Sequence, residues 1–143
     1  MRALVDVNVL IALLDEAHVA HDRATEWLGN EIEHGWASCP MTQNGCIRIM
    51  SQPAYPGSIP AAEVAARLAE AAMNRAHQFW PDDVSLLDPG VFNWSHVLGH
   101  RQVTDTYLLA LAVRHRGRFI TFDRRINLAG AAGALKQHLV VLS

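Results

Sequence analysis

Residues 104–125 read TDTYLLALAVRHRGRFITFDRR. The first half has helical spacing, with Val103, Tyr107, Leu108, Leu111 and Ala112 predicted on one buried face. Thr104 or Asp105 starts this helix, Arg114, His115 and Arg116 meet the negative end of its dipole, and Gly117 ends it. The run from Arg118 to Phe122 has the length and apolar content of a buried strand, with Asp123 at its carboxyl end. A helix feeding a buried strand is a unit of parallel α/β architecture. The same stretch poses a chemical question, since an aspartate stands at each end of an otherwise apolar segment.

The flanking sequence repeats the pattern. Ala3, Leu4 and Val5 form a short buried strand ending at Asp6, and Asn8 is placed to cap the helix VLIALLDE. A second helix is expected over residues 19–33, with Ala24, Trp27, Leu28 and Ile32 as its apolar stripe. GWASCP (35–40) reads as a second strand and TQNGCIRIM (42–50) as a helix. Residues 51–60, with three prolines, break the pattern as a loop. Residues 61–76 are strongly helical, with Pro60 at the first turn and Glu63 one turn before Arg67. The segment from Trp80 to Gly90 is irregular, and LVVL (139–142) is a last buried strand. Strands separated by helices predict a parallel β-sheet flanked by helices, in a single domain spanning 1–143.

Half of the 143 residues are hydrophobic, enough for a core of the chain's own. The longest apolar runs, VNVLIALL and YLLALAV, fall short of the roughly 18 residues a membrane span needs. With no signal-peptide pattern either, the expectation is a soluble, cytoplasmic protein. Cys39 and Cys46 match no metal-binding or disulfide framework and read as free thiols. The acceptor-like Asn93-Trp94-Ser95 is expected to be a chance match, since no secretory route is expected.

A formal net charge of −2 excludes a surface that is basic throughout but permits a local basic face. Lys136 is the sole lysine, and Arg114, Arg116, Arg118, Arg124 and Arg125 crowd into one window. Arginine suits phosphate and carboxylate alike. Other chemistry lacks support. His18 with His21, and His96 with His100, are spaced as ligand pairs without an HExxH motif. No glycine-rich phosphate loop or GxSxG elbow occurs.

In open α/β sheets, sites form outside the carboxyl ends of the strands. Asp6 and Asp123 occupy such ends, and Asp105 begins a helix that faces the same rim. Singly, each has a plain structural role as a cap, a first-turn acid or a turn residue. Together they form a cluster whose mutual repulsion a divalent cation would offset. Such a cation makes water more acidic and stabilises charge on a phosphoryl oxygen, as phosphodiester hydrolysis requires.

LVDVNVL (4–10), CPMTQNGCIRIM (39–50), GHRQVTDTYLLALA (99–112) and RFITFD (118–123) resemble a PIN domain of the VapC toxin type, in a likeness covering nearly the whole chain. The resemblance implies an endoribonuclease toxin using Mg²⁺ or Mn²⁺. Asp6 and Asp105 would be the principal metal carboxylates and Asp123 a further member of the acidic group. It also implies an RNA substrate, a homodimer, and a VapB-type antitoxin whose tail blocks the site and whose DNA-binding end represses the operon. Asn8 and Thr121 are expected to orient the carboxylates. The arginine window, with Arg48 and Arg101, is the expected RNA-backbone surface, Arg124 and Arg125 lying nearest the site.

One departure stands out. The family usually carries a glutamate in the segment after the second strand, and proteins close to this type often show it directly after the threonine, where this chain has Gln43; neither Asn44 nor Gly45 restores an acid. Glutamine offers a carbonyl oxygen but no charge and no general base, so weaker metal affinity is expected. The alternative is therefore an inactive PIN-like module that binds RNA or antitoxin without cutting. A phosphatase of the haloacid dehalogenase type, with Asp6 as nucleophile, would want a second aspartate where Asn8 stands.

Overall fold

Ala3, Leu4 and Val5 are wholly buried, and so are Phe119 and Ile120. Both strands lie inside a sheet that is covered on its two faces, which is where parallel strands belong. The computed structural model describes residues 1–143. Its elements are β1 (Ala3–Val5), α1 (Val7–Leu14), α2 (His21–Glu31), β2 (Trp36–Ser38), α3 (Pro40–Met50), α4 (Ala61–Ala72), β3 (His77–Phe79), α5 (Val103–Arg114), β4 (Arg118–Thr121) and β5 (Leu139–Val141). The strands form one parallel sheet in the order β3-β2-β1-β4-β5. The expected α/β class is what the chain adopts.

Successive side chains of a strand point to opposite faces, so each strand feeds two cores. Ala3, Val5 and Ile120 join Val9, Leu10, Trp27, Met50 and Leu68 beneath α1 to α4. Leu4 and Phe119 join Tyr107, Leu108 and Leu111 beneath α5. Burial pushes the Cys39 and Cys46 thiols up to about 11, so both are inert packing groups. No helix is long and apolar enough to cross a membrane.

Four expectations are corrected. First, α5 is not one-sided: every residue from Thr106 to Ala112 is buried, because Phe92 and Ala131, joined by a β-bridge, cover its outer side. It begins at Val103, after a 3-10 turn over His100–Gln102. Second, Gly117 does not supply the left-handed turn after α5, since Arg116 takes that conformation (φ 56°). Gly117 is required for close approach instead, as a Cβ there would lie 2.5 Å from the Arg2 carbonyl oxygen and 2.6 Å from the Trp80 ring.

Third, the helix expected to reach residue 76 stops at Ala72, and residues 77–79 add an edge strand. The Arg2 guanidinium donates to the Ala76 carbonyl at 2.6 Å, fixing the chain as it enters the sheet. Fourth, Asp6 rather than Asn8 caps α1, accepting from the Val7 N–H at 2.7 Å, so Asn8 is an exposed first-turn residue. The loop expected over residues 51–60 is present and is tied to the end of α1 by a hydrogen bond from Tyr55 to Asp15.

Candidate active site

All five strands run in one direction, so their carboxyl ends share a rim, and α5 starts at that rim before descending to β4. The register pairs Val5 with Ile120, which sets Asp6 beside Thr121. Thr121 Oγ1 donates to Asp6 Oδ2 at 2.6 Å and accepts from the Asp123 N–H at 3.0 Å. One buried hydroxyl thus fixes the strand-end aspartate and the turn that carries the next.

The three carboxylates influence one another. Burial holds the Asp6 carboxyl above its ordinary range, against the lowering effect of Thr121 and the Val7 N–H, and the Asp123 charge adds to the rise. Asp105 is pushed up to about 7, first by burial and then by the charges of Asp6 and Asp123. Asp123 is held low, chiefly because Arg125 grips it: Nε donates to Oδ1 and Nη2 to Oδ2, each at 3.1 Å. The result is an electrostatically frustrated rim with one internal counter-ion.

Asp6, Asp105 and Asp123 open into one cleft of about 420 Å³. Asn8, Arg48, Arg101 and Arg125 share its wall, as do Asn44 and Thr104, which were not expected at the site. Arg124 lies just outside, in an adjoining depression with Asn8 and Phe122. The arginine window does not act as a unit, because β4 separates its two halves. Arg118 pairs with Glu31 at 3.0 Å and Arg114 approaches Asp83 at 3.7 Å, away from the carboxylates. Only Arg124 and Arg125 of that window reach the rim.

The chain as a whole is similar to known proteins. The sequence profile of the PIN domain fits residues 3–132. Ribonuclease VapC44 of Mycobacterium tuberculosis (strain H37Rv) is 55% identical over 99% of this chain and 100% of its own length. The chain belongs to the PIN-domain family, among the VapC ribonucleases. Ribonuclease VapC39 of the same strain is 41% identical over 95% of this VapC chain and 99% of its own. The crystal structure of VapBC2 from Rickettsia felis bound to a DNA fragment from their promoter superimposes with a TM-score of 0.63. That likeness covers 100% of both chains at 9% identity, so it speaks for the PIN fold alone.

In this PIN domain the residue expected to replace the family glutamate is not at the site. Gln43 Nε2 donates to Ser38 Oγ at 3.0 Å, and its side chain borders a groove with Ala65 and Leu68 of α4. Helical geometry explains the correction: Met41, Asn44, Gly45 and Arg48 share the face turned to the cleft, and position 43 points to another.

The site's fitness for a cation is mixed. No three acidic, histidine or cysteine side chains already enclose an ion position. Both oxygens of Asp6 are engaged by Val7 and Thr121, and both of Asp123 by Arg125. The donor chemistry nevertheless suits a hard, water-rich cation, which takes one or two carboxylates and keeps most of its waters. The Asp105 carboxyl is held at about 7 first by burial and then by the charges of Asp6 and Asp123, and a cation would offset the second of these. Neither histidine pair belongs to a group of three His, Cys, Asp or Glu side chains placed to hold an ion.

Proposed function

We propose that this VapC-family chain, acting as one unit over residues 1–143, cuts RNA phosphodiester bonds with Mg²⁺ or Mn²⁺ held by Asp6 and Asp105. The observation that carries the reading is the convergence of three carboxylates, two with raised affinity for protons, in a cleft walled by arginines. A bound cation supplies Lewis-acid stabilisation of the phosphoryl oxygens and makes water acidic enough to attack at neutral pH.

The chain's own residues do the rest. Thr121 fixes the Asp6 carboxylate, and Asn8 contributes a neutral polar group at the cleft wall. Arg48, Arg101 and Arg125 are disposed to hold the RNA backbone phosphates, with Arg124 extending the surface. Asp123 completes the acidic group when phosphate draws Arg125 away. The partners proposed are a VapB-type antitoxin that covers the cleft and a second copy of this chain; the Rickettsia felis VapBC2 structure supports the first.

Two observations favour a second reading, an inactive binding module: α3 places no acid in the cleft, and Arg125 already occupies Asp123. Cleavage of total cellular RNA by purified protein with Mg²⁺, Mn²⁺ or EDTA separates the two. Discrete metal-dependent fragments absent from Asp6→Asn and Asp105→Asn are expected. Equal products from wild type and both mutants would remove the enzymatic assignment.

A further inference from the structure

Gln43 departs from the family pattern in sequence, yet the structure shows that position 43 lies off the cleft. Its amide is engaged in holding α3 to the sheet: Gln43 donates to Ser38, and Ser38 Oγ lies 2.8 Å from His77 Nε2 on β3. The residues of α3 that border the cleft are Met41, Asn44, Gly45, Arg48 and Ile49. Met41 and Ile49 offer no oxygen donor, and Arg48 repels a cation. Gly45 has no room for a side chain, because a Cβ there would lie 2.6 Å from Val7 Cγ2.

That glycine also sets the approach of the helix. Its contact with Val7 seats α3 against the first turn of α1, directly beyond Asp6, and so brings the neighbouring position 44 to the acidic rim. Asn44 is exposed there and carries the one neutral carbonyl oxygen that an α3 side chain presents to the cleft. Carboxamide oxygens serve hard cations directly or through a shared water.

We infer that Asn44, not Gln43, is the side chain through which α3 meets the cation's coordination sphere. This rests on the metal-dependent reading above. The family's acid after the threonine then has no vacancy to fill in this chain, because the cleft-facing donor sits one residue later and is uncharged. An acid placed at 44 would add a ligand charge beside Asp6, whereas one placed at 43 would face Ser38 and α4.

The test is calorimetric titration of Mn²⁺ alone into the full chain, with no RNA and no turnover. Asn44→Asp is expected to tighten Mn²⁺ binding about tenfold, since it adds a charged oxygen ligand. Asn44→Ala is expected to weaken it about tenfold, the low end of what losing a supporting ligand costs. Gln43→Glu, which adds the same charge at the adjacent residue, controls for long-range attraction and is expected to stay within about twofold. A larger gain from Gln43→Glu than from Asn44→Asp, or an Asn44→Ala titration matching wild type, would overturn the inference while leaving the metal site standing. Mn²⁺ binding absent from wild type, or unchanged in Asp6→Asn, would overturn the metal-dependent reading and this inference with it.

Discussion

The two rims of one sheet are treated differently by this sequence. At the amino ends, charges are satisfied by the fold. Arg2 donates to the Ala76 and Trp36 carbonyls, and Arg118 pairs with Glu31 while donating to the Met1 carbonyl. At the carboxyl ends, three acids share a cleft in which only Asp123 has a guanidinium, and burial opposes ionisation of Asp6 and Asp105. One rim spends its charged groups on stability, and the other gathers acids of which two have no ion-pair partner. Acids crowded in a cleft with perturbed ionisation mark a functional site more clearly than charge count does.

The contrast can be broken first at the carboxyl rim. Asp6→Asn and Asp105→Asn should each lower RNA cleavage by about a thousandfold, since the lost Lewis-acid contribution amounts to several kcal/mol. Both should stay folded by circular dichroism. At the amino rim the expected effect is on stability instead. Gly117→Ala drives a Cβ against the Arg2 backbone and Trp80, and should cost about 2–4 kcal/mol in urea unfolding. Cleavage per folded molecule should not change.

A subtler effect links the carboxyl rim to pH. The folded protein keeps the Asp105 proton up to about 7, whereas the unfolded chain loses it near the ordinary value of 3.8. Between those values the folded state binds more protons, so metal-free stability should fall as pH rises and level off above about 7. Asp6 acts in the same direction. Urea midpoints measured with EDTA across this range should fall less in Asp105→Asn than in wild type. The smallest effect belongs to the exposed Arg114, whose 3.7 Å approach to Asp83 should contribute under about 0.5 kcal/mol, seen as an unchanged midpoint in Arg114→Ala.

The sheet and its acidic rim were legible because they rest on period and position: β1 and β4 are short apolar runs, each delivering an aspartate at or just past its end. What was not legible depends on contacts between distant segments. The strand His77–Phe79 has no apolar run to betray it, being a half-exposed edge held by pairing with β2. Asp6 rather than Asn8 caps α1 because β1 runs directly into the helix, leaving no residue between strand end and cap. The arginine window looked continuous because sequence distance hides the length of β4, which carries its two halves to opposite rims. Position 43 misled for a similar reason, since one residue along a helix is about a hundred degrees of rotation. The spacing of Met41, Asn44, Gly45 and Arg48 was the signal available for the cleft-facing side of α3.

The most direct test of the central claim is anomalous scattering from crystals of the full-length chain soaked in Mn²⁺. The account predicts a peak in the carboxyl-rim cleft, against Asp6 and Asp105, that is absent from crystals of Asp6→Asn. A wild-type map with no peak there at saturating Mn²⁺, or a peak only at another place on the surface, would contradict it.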